Sequence, residues 1–83
     1  MAQLSEETKG IVREIISEHL DLELSLIKDD SELRDLGADS LDEIELIIEF
    51  EKKFDISVPD SDLEIYNKLK VENLFEVLSK YIN

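Results

Sequence analysis

Apolar residues in this chain recur at three- and four-residue steps, and that period restricts the fold more than any other feature. Leu4, Thr8, Ile11, Val12, Ile15, Ile16 and Leu20 mark one amphipathic helix. Leu41, Ile44, Leu46, Ile47, Ile48, Phe50 and Phe54 mark a second, from Ser40 to about Phe54, with Asp42, Glu45, Glu49 and Lys53 as its polar stripe. Val71, Leu74, Phe75, Leu78, Tyr81 and Ile82 give the last helix its face, up to the chain terminus. Pro59 removes a donor and pushes Val58 toward an extended conformation, so the second helix cannot continue through it. Asp60 is then placed to cap a short third helix to about Tyr66, with Leu63 and Ile65 facing inward and Asn67 as its stop. With no strand pattern and no internal repeat, the expected fold is all-α: a four-helix bundle with a short third helix and a long first loop.

Within the first helix, Ser5 is the expected cap, Glu6 and Glu7 suit its first turn, and Gly10 costs about 1 kcal/mol relative to alanine. The lone histidine, His19, reads as an ordinary surface or boundary residue. Between Asp21 and Ala38 no period persists. Leu22, Leu24, Leu26, Ile27, Leu33 and Leu36 are nonetheless too many apolar residues for a free linker, so this loop is expected to pack. Asp29-Asp30-Ser31-Glu32 has the look of a calcium loop but lacks the glycine such a loop requires at its sixth position. Eighty-three residues make one domain, spanning 1–83, whose core every element must share.

The chain has no cysteine, which excludes a disulfide framework, a thiolate nucleophile and a zinc–thiolate site. No apolar run approaches a membrane span, and no basic region precedes an apolar stretch at the amino terminus. A cytoplasmic monomer without membrane insertion is expected. The net charge is −13, and residues 29–62 alone hold thirteen carboxylates against Arg34, Lys52 and Lys53. Such a surface repels nucleic acid and attracts basic protein surfaces.

Most of that charge surrounds Leu36-Gly37-Ala38-Asp39-Ser40-Leu41-Asp42-Glu43-Ile44-Glu45-Leu46. Gly37 tolerates positive φ, Asp39 or Ser40 can cap, and Ser40 with Glu43 makes a capping-box pattern. If Asp39 caps, Ser40 sits in the first turn with its hydroxyl outward, at a helix end suited to a phosphate. Leu41, Ile44 and Ile48 read either as part of a central helix touching three others or as a partly exposed ridge for a partner helix.

Asp35-Leu36-Gly37-Ala38-Asp39-Ser40-Leu41-Asp42, continued through Glu45-Leu46, Phe54 and Val58-Pro59-Asp60, resembles the signature of acyl carrier proteins. The resemblance implies three longer helices and a short one around an interior that opens to an acyl chain. It puts a covalent 4'-phosphopantetheine on Ser40, acidic docking positions at Asp39, Asp42, Glu45 and Glu51, and apolar docking residues at Leu41, Ile44 and Ile48. Partners would be a phosphopantetheinyl transferase and acyl-transferring, condensing and reducing enzymes with basic docking surfaces, in fatty acid or related lipid or polyketide biosynthesis. Lys52 and Lys53 stand where the family often has acids, Glu32 where a pocket-lining apolar residue is common, and Lys70 where threonine is common. The stretch between Pro59 and Val71 looks about two residues longer than is usual in the family.

Ser40 has no base beside it, so the chain itself is expected to be non-catalytic, a substrate of other enzymes. Two alternatives share these features: a carrier of aminoacyl or other specialised cargo, and a small acidic interaction module phosphorylated at Ser40.

Overall fold

A computed structural model describes residues 4–59 and 70–82. Three helices run through them: α1 (Glu6–Leu20), α2 (Ser40–Phe54) and α3 (Val71–Ser79). The expected short helix from Asp60 to Tyr66 lies outside the described residues. Among those described there is no strand, only an isolated bridge between Glu32 and Lys70. The regular part of the last helix stops at Ser79, sooner than its apolar spacing suggests, and Tyr81 and Ile82 follow in a tighter turn whose amides bond to the Leu78 carbonyl.

Val12 and Ile16 from α1, Leu46 and Phe50 from α2, and Val71, Leu74 and Leu78 from α3 are fully buried, so each helix turns its periodic face to one core. Lys9 and Arg13 of α1 both stand over the Phe75 ring, at 5.5 and 5.2 Å, and close the edge of that core by cation–π contact. The first two helices both end on an aspartate in the left-handed region, Asp21 (φ 56°) and Asp55 (φ 54°). In each case the following amide turns back to a carbonyl five residues earlier, at 3.0 and 3.1 Å.

The long loop packs, as its leucines require. It forms two 3₁₀ turns, Leu24–Leu26 and Leu33–Leu36, and buries Ile27 and Leu33. It also completes α3. Lys70 at the cap position offers no acceptor, and the loop supplies backbone carbonyls instead: Val71 N–H donates to Ser31 O at 3.0 Å and Glu72 N–H to Asp29 O at 2.9 Å. Asn73 returns its side-chain oxygen to Lys70 N–H at 2.9 Å. Arg13, bonded to Asp29 at 2.7 Å, ties the same loop to α1.

Candidate functional site

The second 3₁₀ turn ends at Gly37, where φ is 98°, and this left-handed step turns the chain into α2. Asp39 is the cap. Its Oδ1 accepts from Asp42 N–H at 2.8 Å, and Asp42 Oδ2 accepts from Asp39 N–H at 3.0 Å. Of the two capping arrangements open to the sequence, the fold therefore uses Asp39 with Asp42, and the Ser40–Glu43 pattern is not a capping box. Accepting that backbone N–H holds the Asp42 carboxyl below its usual value, against an opposing effect of burial and with lesser help from the His19 ring.

Ser40 is thereby released from capping. It is exposed at the first helical position, and the N–H groups of Ser40 and Leu41 have no acceptor among the described residues. A free hydroxyl beside two open amides at the positive end of a fifteen-residue helix suits a phosphate ester.

The ridge along α2 is exposed: Leu41 is 60%, Ile44 44% and Ile48 44% accessible. Asp39 and Glu45 are also exposed and Asp42 is half-buried. Glu51 differs from the other acids named above. Its Oε2 accepts from Val58 N–H at 2.8 Å, so it clamps the extended segment that follows α2.

Two features escaped the sequence reading. His19 does lie at a boundary, half-buried between α1 and α2, but its partners were not foreseen: Nδ1 is 2.8 Å from Glu49, and Nε2 is 3.3 Å from Asp42 and 3.6 Å from Glu45. Carboxylates at both ring nitrogens suit an imidazolium, which donates from each. His19, Asp42 and Glu45 also form the grouping among the described residues whose spacing could hold a metal ion, each offering an atom within 4.8 Å of the others. Glu43 is the second feature: among the described acids it alone is buried, at 4% exposure, and its Oε2 has no hydrogen-bond partner among the described residues. Burial pushes its carboxyl above the usual glutamate value, with Arg34 pulling the other way.

Residues 10–75 match the family model described as phosphopantetheine attachment site. The chain is 45% identical to an acyl carrier protein of Chloroherpeton thalassium over 75 residues, 89% of this chain and 88% of that one. Against an acyl carrier protein of Campylobacter lari it is 42% identical over 71 residues, 83% of this chain and 92% of the relative. A non-reducing polyketide synthase of Emericella nidulans is 54% identical over 61 residues, 74% of this chain but 2% of the synthase. No helix among the described residues is long and apolar enough to cross a membrane. With its matched region running through the open helix start at Ser40, the chain belongs to the acyl carrier protein family, whose members carry 4'-phosphopantetheine covalently and are carriers, not catalysts.

Proposed function

We propose that Ser40 is the attachment residue and that the chain carries acyl intermediates in fatty acid or related lipid or polyketide biosynthesis, as one cytoplasmic, monomeric carrier domain. The observation that carries this reading is the exposed Ser40 hydroxyl beside two amides that have no acceptor among the described residues, inside the matched region. Ser40 would hold the arm through a phosphodiester, with the Ser40 and Leu41 amides facing its charge. The bound arm supplies a terminal thiol that takes the acyl group as a thioester. Ser40 has no base of its own: the described histidine is committed to three carboxylates on α2. Activation of its hydroxyl belongs to a phosphopantetheinyl transferase that uses coenzyme A.

Asp39, Leu41, Asp42, Ile44, Glu45 and Ile48 form the docking face for that transferase and for acyl-transferring, condensing and reducing enzymes with basic surfaces. Exposed acids steer the encounter and the apolar ridge provides contact. Glu51 contributes less, because one oxygen is already spent on Val58. Phosphorylation by an acid-directed kinase is disfavoured, since the acid three residues after Ser40 is the buried Glu43.

Incubation with coenzyme A and a broad-specificity pantetheinyl transferase should raise the intact mass by one phosphopantetheinyl group, and Ser40→Ala should abolish the increase. An unaltered mass for the wild-type chain would refute the assignment.

A further inference from the structure

Glu43 lies one helical turn beyond Ser40, at the spacing that brings side chains within about 5–6 Å at Cβ. It shares its face of α2 with Leu46, Ile47 and Phe50, all buried. Its Oε2 is enclosed without a hydrogen-bond partner among the described residues, so it forfeits hydration for no hydrogen bond, and the charge of Arg34 offsets only part of the cost of burial. The rest of that face is apolar, so a bridging water would find no second anchor on it. A leucine at the same position would fill the space at no such cost. The group that could meet this oxygen is the one hung one turn away, because Ser40 and Glu43 are three residues apart on α2 and within reach of each other across that turn.

We infer that Glu43 is a specificity-determining residue of this carrier, whose buried carboxyl accepts a hydrogen bond from a hydroxyl or amide N–H on the group attached at Ser40. The inference rests on Ser40 being the attachment point. It makes this interior a better host for a chain bearing a donor near its attached end than for an unsubstituted alkyl chain, which leaves the carboxyl orphaned. Protonated or ionised, the carboxyl keeps an oxygen free to accept. The donor has two sources, the amides and hydroxyl of the arm or a hydroxyl of the cargo, and loaded forms of the protein tell them apart.

Apo, pantetheinylated, octanoyl-loaded and 3-hydroxyoctanoyl-loaded forms of the wild type, Glu43→Gln and Glu43→Leu should be prepared, confirmed by intact mass, and melted. If the cargo supplies the donor, the 3-hydroxyoctanoyl wild type melts above the octanoyl form by about 4–8 °C, the shift expected from one ordinary hydrogen bond in a domain this size. Glu43→Leu then erases or reverses that order, and Glu43→Gln, which keeps an acceptor, retains part of it. If the arm supplies the donor, the shift appears between apo and pantetheinylated wild type, is lost in Glu43→Leu, and does not depend on the acyl chain. The same ordering of melting temperatures in wild type and Glu43→Leu overturns the inference while leaving the carrier assignment intact. No mass increase on any variant removes the attachment at Ser40, and the inference falls with it.

Discussion

The first turns of α2 and α3 present the same backbone groups and dispose of them in opposite ways. At α3 the amides of the first two positions, Val71 and Glu72, are taken by carbonyls of Ser31 and Asp29, which arrive from forty residues upstream in a packed loop. At α2 the corresponding amides, Ser40 and Leu41, have no acceptor among the described residues, and the cap is assembled locally from Asp39 and Asp42. The fourth positions differ too. Leu74 fills the core from α3, whereas Glu43 enters it from α2 as a carboxyl. One helix start is finished for stability. The other is held in shape by its own side chains and kept available, at a cost in burial.

Making the two starts alike should have its largest effect at the fourth position. Glu43→Leu gives α2 the apolar residue that α3 already has, and should stabilise the apo protein at pH 7 by about 1–3 kcal/mol in chemical denaturation. The folded carboxyl titrates above its unfolded value, so its penalty is full above the folded pKa and fades as pH falls toward the usual glutamate range. The gain from Glu43→Leu should shrink on acidification over that window. A gain independent of pH would mean that the fold does not shift this carboxyl from its unfolded value.

Proline tests the amides themselves. At the second position it removes an N–H in the first turn, where a helix tolerates it. Leu41→Pro loses no bond, but Glu72→Pro breaks the bond to Asp29, so Glu72→Pro should be the more costly by about 1 kcal/mol. Equal losses in urea titrations would erase the distinction. Asp39→Ala, which removes the local cap, should cost about 1 kcal/mol and lower the melting temperature by about 4–8 °C. The smallest effect is expected at the other start: Lys70→Thr, ordinarily a capping gain, should yield less than about 0.5 kcal/mol, because the first amides of α3 already have acceptors. A full capping gain there would show that the loop carbonyls contribute little.

What could be read from the letters of the chain follows the same division. The faces of all three described helices were legible because period and burial are local: Val12, Ile16, Leu46, Phe50, Leu74 and Leu78 all lie where spacing puts them. The open Ser40 followed from the choice of Asp39 as cap, which the sequence allowed without selecting, and the exposure of Leu41, Ile44 and Ile48 was one of two readings their spacing left open. The borrowed carbonyls at α3 were hidden, since backbone acceptors have no letter and Lys70 looked only like a missing cap. Glu43 was misread for a related reason. Ser-x-x-Glu carries a local meaning, and only the packing of α2 against the core turns that glutamate inward. His19 needed α1 and α2 side by side before its partners could be seen.

The carboxylates around His19 reach beyond the fold. Asp42, Glu45 and Glu49 converge on one imidazole, so their rotamers are already ordered before any other protein arrives. On the docking face proposed above, a lysine or arginine from an enzyme would displace the histidine ring from these carboxylates instead of meeting free ones, recovering only the difference between the two pairings. Recognition built on such swapping is fast to form and shallow in depth, and it lets a loaded carrier be handed from one enzyme to the next.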